Sequence, residues 1–193
     1  DDLDVWFEKS KSLGYDGVSG FVWGQLEPII KKPDPVARSL NNHGLEFASM
    51  DVEVFSDLEV YKDVLDFMEG VNCRILTCLS ALRERATQDE EIGWVENIAS
   101  MAKERGILTC YHPRTMGVTK TFAESTRFFA RTDPNLVYAC LECGHSTQDF
   151  EDLQLKERST TYVDAFGERI RFVEAKDWNA ETELNTPAGE GSS

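Results

Sequence analysis

The chain has 193 residues, 41% of them hydrophobic and 28% charged, which is enough for one globular domain with a sizeable core. Its formal net charge of −15 argues against nucleic acid as a partner, because phosphate binding needs a basic surface. The sequence shows no signal peptide and no apolar run of ~18 residues, so we predict a cytoplasmic protein without a membrane span. The five cysteines are odd in number, and we interpret them as reduced core residues rather than disulfides or a zinc or redox pair.

Helical patterns and short apolar runs alternate along the chain. Apolar residues at helical spacing predict helices over 3–13, 33–40, 57–68, 92–105 and 122–129, and one helix or a pair of short helices between 150 and 166. Runs rich in β-branched, aromatic and aliphatic residues predict strands over 15–22, 45–50, 74–79, 107–110, 136–140 and 170–173. Residues 82–91 are predicted to form a polar loop, and residues 179–193 a polar loop or frayed tail.

Strict alternation of strands and helices predicts an α/β fold with a parallel sheet. Six strands fit an open doubly wound sheet or six-eighths of a (β/α)8 barrel. No glycine-rich phosphate or dinucleotide motif follows any strand, which favours the barrel.

Three short polar strings follow predicted strands at about thirty-residue intervals, the period of a βα unit. They are Tyr-His-Pro-Arg at 111–114, Leu-Glu-Cys-Gly-His at 141–145 and Val-Glu-Ala-Lys-Asp at 173–177. Parallel strands end at one edge of a sheet, and active sites of α/β folds collect there. We therefore expect His112, Glu142, His145, Glu174 and Asp177 to face one mouth, meaning the edge where the strands reach their carboxyl ends.

In this order and spacing, the strings resemble those of the xylose-isomerase-like (β/α)8 barrels, the sugar-phosphate isomerase/epimerase group that includes inosose dehydratases. The resemblance covers nearly the whole chain and implies a TIM-barrel domain over 1–178, with 179–193 as a tail. On this mapping, the visible strands are two to seven of the barrel. The resemblance therefore implies an incomplete barrel, either because the chain is a fragment or because something else closes the gap.

The resemblance also implies a set of site residues. Glu142 stands where the family has the Asp of a Leu-Asp-Thr-Gly-His string, and Glu174 where it has the His of a Val-His-Leu-Lys-Asp string. We predict that these two glutamates are catalytic groups and ligands of a divalent metal, Mn²⁺ or Mg²⁺. Four residues are predicted to contact the substrate: His112, His145, Lys176 and Trp178. Trp23 is a further aromatic candidate.

A mouth without metal is the alternative, because two neighbouring carboxylates can be neutralised by a cation instead. Lys120, Arg114 or Lys176 could supply that cation.

Two functions remain open at this point. The first is a sugar or keto-sugar isomerase, epimerase or dehydratase (a lyase), which abstracts a proton beside a carbonyl with a divalent metal and takes a small sugar as its partner. The second is a catalytically inactive TIM barrel, a pseudoenzyme, that serves as a structural or interaction subunit, in a homo-oligomer or a larger protein assembly.

Overall fold

The computed structural model describes residues 2–22 and 29–192, and within them six parallel strands form one sheet. The strands lie side by side in chain order, from β1 to β6. Their bounds are β1 Gly17–Phe21, β2 Glu46–Glu53, β3 Ile75–Leu79, β4 Leu108–His112, β5 Val137–Glu142 and β6 Ile170–Glu174. All six predicted strands are confirmed in order and type, with ends that shift by a few residues.

Helices connect each strand to the next. Their bounds are α1 Asp2–Ser12, α2 Pro33–His43, α3 Glu59–Gly70, α4 Gln88–Glu104, α5 Phe122–Arg131, α6 Cys143–Asp149 and α7 Arg158–Phe166. Because every sequential pair of these strands is parallel and adjacent, the sheet is the arc of a barrel, with β1 and β6 at its edges. The prediction of an incomplete TIM-type α/β barrel is confirmed. None of the described helices is long and apolar enough to cross a membrane.

Side chains on the outer face of the sheet form the main core with the helices. Tyr111 on β4 stacks on Phe128 of α5 with ring centroids 3.8 Å apart, and Phe129 packs against Phe166 of α7 at 4.8 Å. The side chains that alternate with this outer set face the barrel interior, where strand ends deliver the polar groups. The core therefore fixes which residues reach the mouth.

A buried carboxyl group lies inside the core between α4 and the sheet. Glu91 is fully buried, and its Oε1 accepts a hydrogen bond from the Ala81 backbone N–H at 2.5 Å. Its Oε2 lies 2.8 Å from the Tyr111 hydroxyl, which in turn lies 2.8 Å from Thr119 Oγ1. Burial raises the pKa of Glu91 to about 7, although these hydrogen bonds and the charge of Arg114 oppose the shift.

Helix α4 begins inside the segment that we predicted to be a polar loop. The Thr87 hydroxyl accepts a hydrogen bond from the Glu90 N–H at 3.3 Å, and the Glu90 carboxylate accepts one from the Thr87 N–H at 2.9 Å. This reciprocal pair is a capping box, which satisfies backbone donors that the first helical turn leaves unpaired. The loop prediction is therefore wrong over residues 88–91, because the cap starts the helix before its apolar face begins.

We expect Thr87→Ala to lower the free energy of unfolding by about 1 kcal/mol, because it removes the side-chain acceptor of the cap. Urea unfolding followed by circular dichroism measures the change. Thr126→Ala is the control, since Thr126 lies within α5 and its hydroxyl donates a hydrogen bond to the Phe122 carbonyl of the same helix at 2.9 Å. An equal loss in both variants would contradict the capping role.

The end of the chain has more order than we predicted for 179–193. Strand β7 (Asp177–Asn179) pairs antiparallel with β8 (Leu184–Thr186). The buried Asp177 carboxylate accepts hydrogen bonds from the backbone N–H groups of Trp178 at 2.8 Å and of Gly189 and Gly191 at 2.9 Å. One carboxylate thus holds together, through hydrogen bonds, a segment that has no apolar periodicity. The domain boundary at 178 stays a prediction.

Candidate functional site

Two histidines meet at the mouth. His112 is the last residue of β4 and only 3% exposed, while His145 lies in the first turn of α6. The Nε2 atom of His112 lies 3.2 Å from Nδ1 of His145. The predicted convergence of these side chains is therefore seen in the structure, although their role as substrate contacts remains a prediction.

Glu142 starts α6 and holds His145 in place. It is the last residue of β5, and its carboxylate accepts hydrogen bonds from the backbone N–H of Gly144 at 2.9 Å and of His145 at 2.8 Å. The Oε2 atom of Glu142 lies 2.8 Å from His145 Nδ1 and 3.9 Å from Lys176 Nζ. Burial alone would raise the pKa of Glu142, but the hydrogen bond and charge of His145 and the charge of Lys176 hold it below its ordinary value.

Of the three cations that we considered, Lys176 is the one that lies beside a predicted site carboxylate. Arg114 instead pairs with Glu53 at 3.2 Å, and Lys120 pairs with Glu151 at 3.7 Å. Because Glu142 already contacts backbone donors, an imidazole and an ammonium group, its role as a metal ligand stays a prediction that these contacts do not favour.

His112 is a neutral imidazole in this environment. Its burial, then the neighbouring His145, lowers its pKa to about 3. On the side of the ring away from His145, Nδ1 has no hydrogen-bond partner within residues 2–22 and 29–192. Glu174 Oε1 lies 3.8 Å from this nitrogen. A buried ring nitrogen thus faces a carboxylate oxygen.

Glu174 is the last residue of β6 and lies opposite Glu142 in the strand register. The thiol of Cys140, on β5, donates to Glu174 Oε1 at 3.9 Å. Burial raises the pKa of Glu174, and the charge of Glu142 adds to the shift. The two predicted glutamates therefore reach adjacent strand ends. Glu174 lies beside Nδ1 of His112, whereas Glu142 contacts His145, which in turn lies beside Nε2 of His112.

Asp51 on β2 is a site residue that our sequence reasoning missed. It accepts a hydrogen bond from the Thr77 hydroxyl on β3. Burial, then the charge of Glu174, raises its pKa to about 7. The signal was present in the sequence, because Asp51 and Glu53 alternate with Val52 and Val54, which extends the predicted strand and turns its acids inward.

Two tryptophans were predicted as aromatic substrate contacts, Trp178 and Trp23. Trp178 is half-buried on β7, which packs against α6 near the histidines, so its substrate role stays a prediction. Trp23 lies outside the described residues.

The mouth offers two groups of potential metal donors that share His112. One group is His112, Glu142 and His145, and the other is His112, Cys140 and Glu174. Within each group, the donor atoms lie within 4.8 Å of one another. A neutral imidazole with an unpaired nitrogen beside a carboxylate suits a divalent transition metal, so the residues present fit such an ion.

Comparisons with known proteins agree with this architecture. An inosose dehydratase from Geobacillus kaustophilus (strain HTA426) is 25% identical over an alignment that covers 82% of this chain and 58% of that protein. The chain thus spans less than two thirds of that relative.

Two solved structures share the fold. One is a probable 3-DHS dehydratase, AsbF, from Bacillus anthracis, with a TM-score of 0.79 and 10% identity over 97% of this chain and 78% of that one. The other is the IolI protein with a bound zinc atom, with a TM-score of 0.68 and 13% identity over 98% of this chain and 70% of that one.

The family model of the xylose isomerase-like TIM barrels matches residues 7–193. That match covers nearly all the chain and includes every residue of the mouth. This protein therefore belongs to the xylose isomerase-like TIM barrel family.

Proposed function

We propose that this protein acts on a sugar or keto-sugar as an isomerase, epimerase or dehydratase, by abstracting a proton from a carbon beside a carbonyl. The observation that carries the proposal is the Glu142–His145 pair at the mouth, with its 2.8 Å contact between Oε2 and Nδ1. The homologous inosose dehydratase supports the substrate class.

His145 is the group that meets the substrate in this proposal, and Glu142 positions it. The Glu142 side chain is 1% exposed, whereas that of His145 is 22% exposed. When the carboxylate accepts a hydrogen bond from the Nδ1–H of His145, the lone pair lies on Nε2, and this is the tautomer of a general base. Glu142 therefore acts through the imidazole rather than on the sugar directly, and its charge stabilises the imidazolium that forms.

Lys176 and His112 complete the polar lining. Lys176 is 40% exposed at its side chain and points its ammonium toward Glu142 at 3.9 Å, so it places a positive charge where the substrate oxygen becomes negative. When no cation is bound, His112 is neutral and offers its unpaired Nδ1 to a hydroxyl group. Trp178 provides an aromatic face near α6 that suits a sugar ring.

A divalent cation bound here would act as a Lewis acid that stabilises the enediolate oxygen. Glu174 and His112 would hold it, because the unpaired Nδ1 of His112 and Glu174 Oε1 face each other. A nitrogen donor favours Mn²⁺ over Mg²⁺ of the two ions that we predicted from the sequence. Glu142 then remains with His145 on the other side of the ring.

A solvent-exchange experiment tests the function. The purified chain, supplied with Mn²⁺, is incubated in D₂O with inososes, ketohexoses and keto-sugars, and proton NMR follows the carbon beside each carbonyl. We expect deuterium to enter at that carbon for at least one sugar class. Absence of exchange across the panel, with the chain recovered only inside a larger assembly, would overturn the proposal in favour of an inactive structural subunit.

A further inference from the structure

We predicted from the sequence that Cys140 is a core residue, but in the structure its thiol lies at the mouth. Cys140 is fully buried on β5, two residues before Glu142, so both side chains face the barrel interior. Its Sγ lies 3.9 Å from Glu174 Oε1. A cysteine buried among apolar residues needs no partner, but this one touches a carboxylate at the carboxyl end of a strand.

A second observation points to a ligand at the same place. The Nδ1 atom of His112 is buried, lacks a hydrogen-bond partner among the described residues, and lies 3.8 Å from the same Glu174 oxygen. An unpaired polar atom in a protein interior costs free energy, and such atoms in native structures often mark a missing water or ion. The nitrogen, sulfur and oxygen atoms all lie within 4.8 Å of one another.

We propose that Cys140 Sγ, His112 Nδ1 and Glu174 Oε1 together bind a divalent zinc-class cation, with Cys140 as a thiolate ligand. The inference rests on the proposed function in placing a cation at the mouth, and it changes which atoms hold it. When the ion binds, the Sγ–H bond breaks, a sulfur–metal bond forms, and the proton leaves to solvent. Three protein ligands of mixed type are the composition of catalytic zinc sites, which keep one position for water or substrate.

The ligand types indicate which cation the site would take. A thiolate among the ligands selects Zn²⁺ or Co²⁺ over the Mg²⁺ or Mn²⁺ that two glutamates would prefer. The other nitrogen of His112, Nε2, lies 3.2 Å from His145 Nδ1, on the side of the ring away from the proposed ligands.

Cobalt substitution tests the ligand set directly. The chain is stripped with a chelator and titrated with Co²⁺, while absorbance is followed in the near ultraviolet, where sulfur-to-cobalt charge transfer appears. We expect one equivalent of Co²⁺ to bind with a charge-transfer band, and Zn²⁺ to displace it. Cys140→Ser should remove the band and weaken Co²⁺ binding about 100-fold or more, since even outer partners of a metal cost up to about that factor.

Cys110→Ser is the matched control, because Cys110 is equally buried on the neighbouring strand β4 but does not belong to the donor group. It should keep both the band and the affinity. Circular dichroism establishes that each variant is folded, and Cys140→Ala replaces Cys140→Ser if the serine variant is not. Cobalt bound without a band, or a band that survives loss of the Cys140 sulfur, would overturn the proposal.

The same samples separate this inference from the proposed function. A charge-transfer band in a chain that exchanges no sugar proton would uphold the ligand set and reject the enzyme. Sugar exchange in a chain that binds Co²⁺ without a charge-transfer band would uphold the enzyme and reject the thiolate ligand.

Discussion

Replacing His145 by alanine should slow solvent exchange at the substrate carbon by about 10²- to 10⁴-fold, the contribution typical of a positioned acid–base group. The reason is geometric, because His145 is the partly exposed member of the pair that Glu142 orients at 2.8 Å. The loss should appear mainly in kcat, because the imidazole acts on proton transfer in the transition state more than on binding of the sugar in the ground state. Proton NMR in D₂O with the best substrate measures it.

His43→Ala provides the matched control for this experiment. His43 ends α2, away from the mouth, and pairs with a carboxylate in the same way, at 3.4 Å from Asp4. Its removal should leave exchange within about twofold of the parent. An exchange rate in His145→Ala that equals the rate in His43→Ala would falsify the assignment of His145 as the base.

Glu91→Gln should flatten the dependence of stability on pH between about 4.5 and 7. Burial raises the pKa of this carboxyl from 4.5 to about 7. As the pH rises through that window, the unfolded chain loses the proton while the folded chain keeps it, so stability falls. At 1.36 kcal/mol per pKa unit, Glu91 accounts for a loss of about 3 kcal/mol that is complete above pH 7.

Glutamine keeps the acceptor for the Ala81 N–H and carries no charge, so the variant should be more stable than the parent at pH 8 and similar to it at pH 4.5. Urea unfolding at a series of pH values measures this difference. A residual slope is expected from Asp51, whose pKa is also raised to about 7. Glu104→Gln, at the exposed end of the same helix, is the control, and a parent-like slope in Glu91→Gln would contradict the prediction.

The sheet was predictable from the sequence because a buried parallel strand is a continuous apolar run. Residues 107–110 and 136–140 show that signal without ambiguity, and both runs became strands. The start of α4 was missed because its first turn is polar and held by hydrogen bonds between Thr87 and Glu90. Helix α6 was missed for a related reason, since its seven residues are too short to show an apolar stripe.

The strand ends were also predictable, and with them the meeting of His112, Glu142 and Glu174. The sequence did not predict that Glu174 lies beside one nitrogen of the His112 ring and His145 beside the other. That arrangement depends on the orientation of the ring and on which carboxylate begins a helix. Asp51 was missed since the predicted strand stopped at residue 50, one residue before the inward acid.

Glu142 performs two tasks with one carboxylate, because it begins a helix and orients an imidazole. Selection for folding alone would keep an acidic residue at this position in a descendant that had lost its chemistry. The ring of His145 has no comparable role at the start of the helix. In a set of related sequences, drift at position 145 beside an unchanged position 142 would therefore distinguish lineages that abandoned turnover from those that retain it.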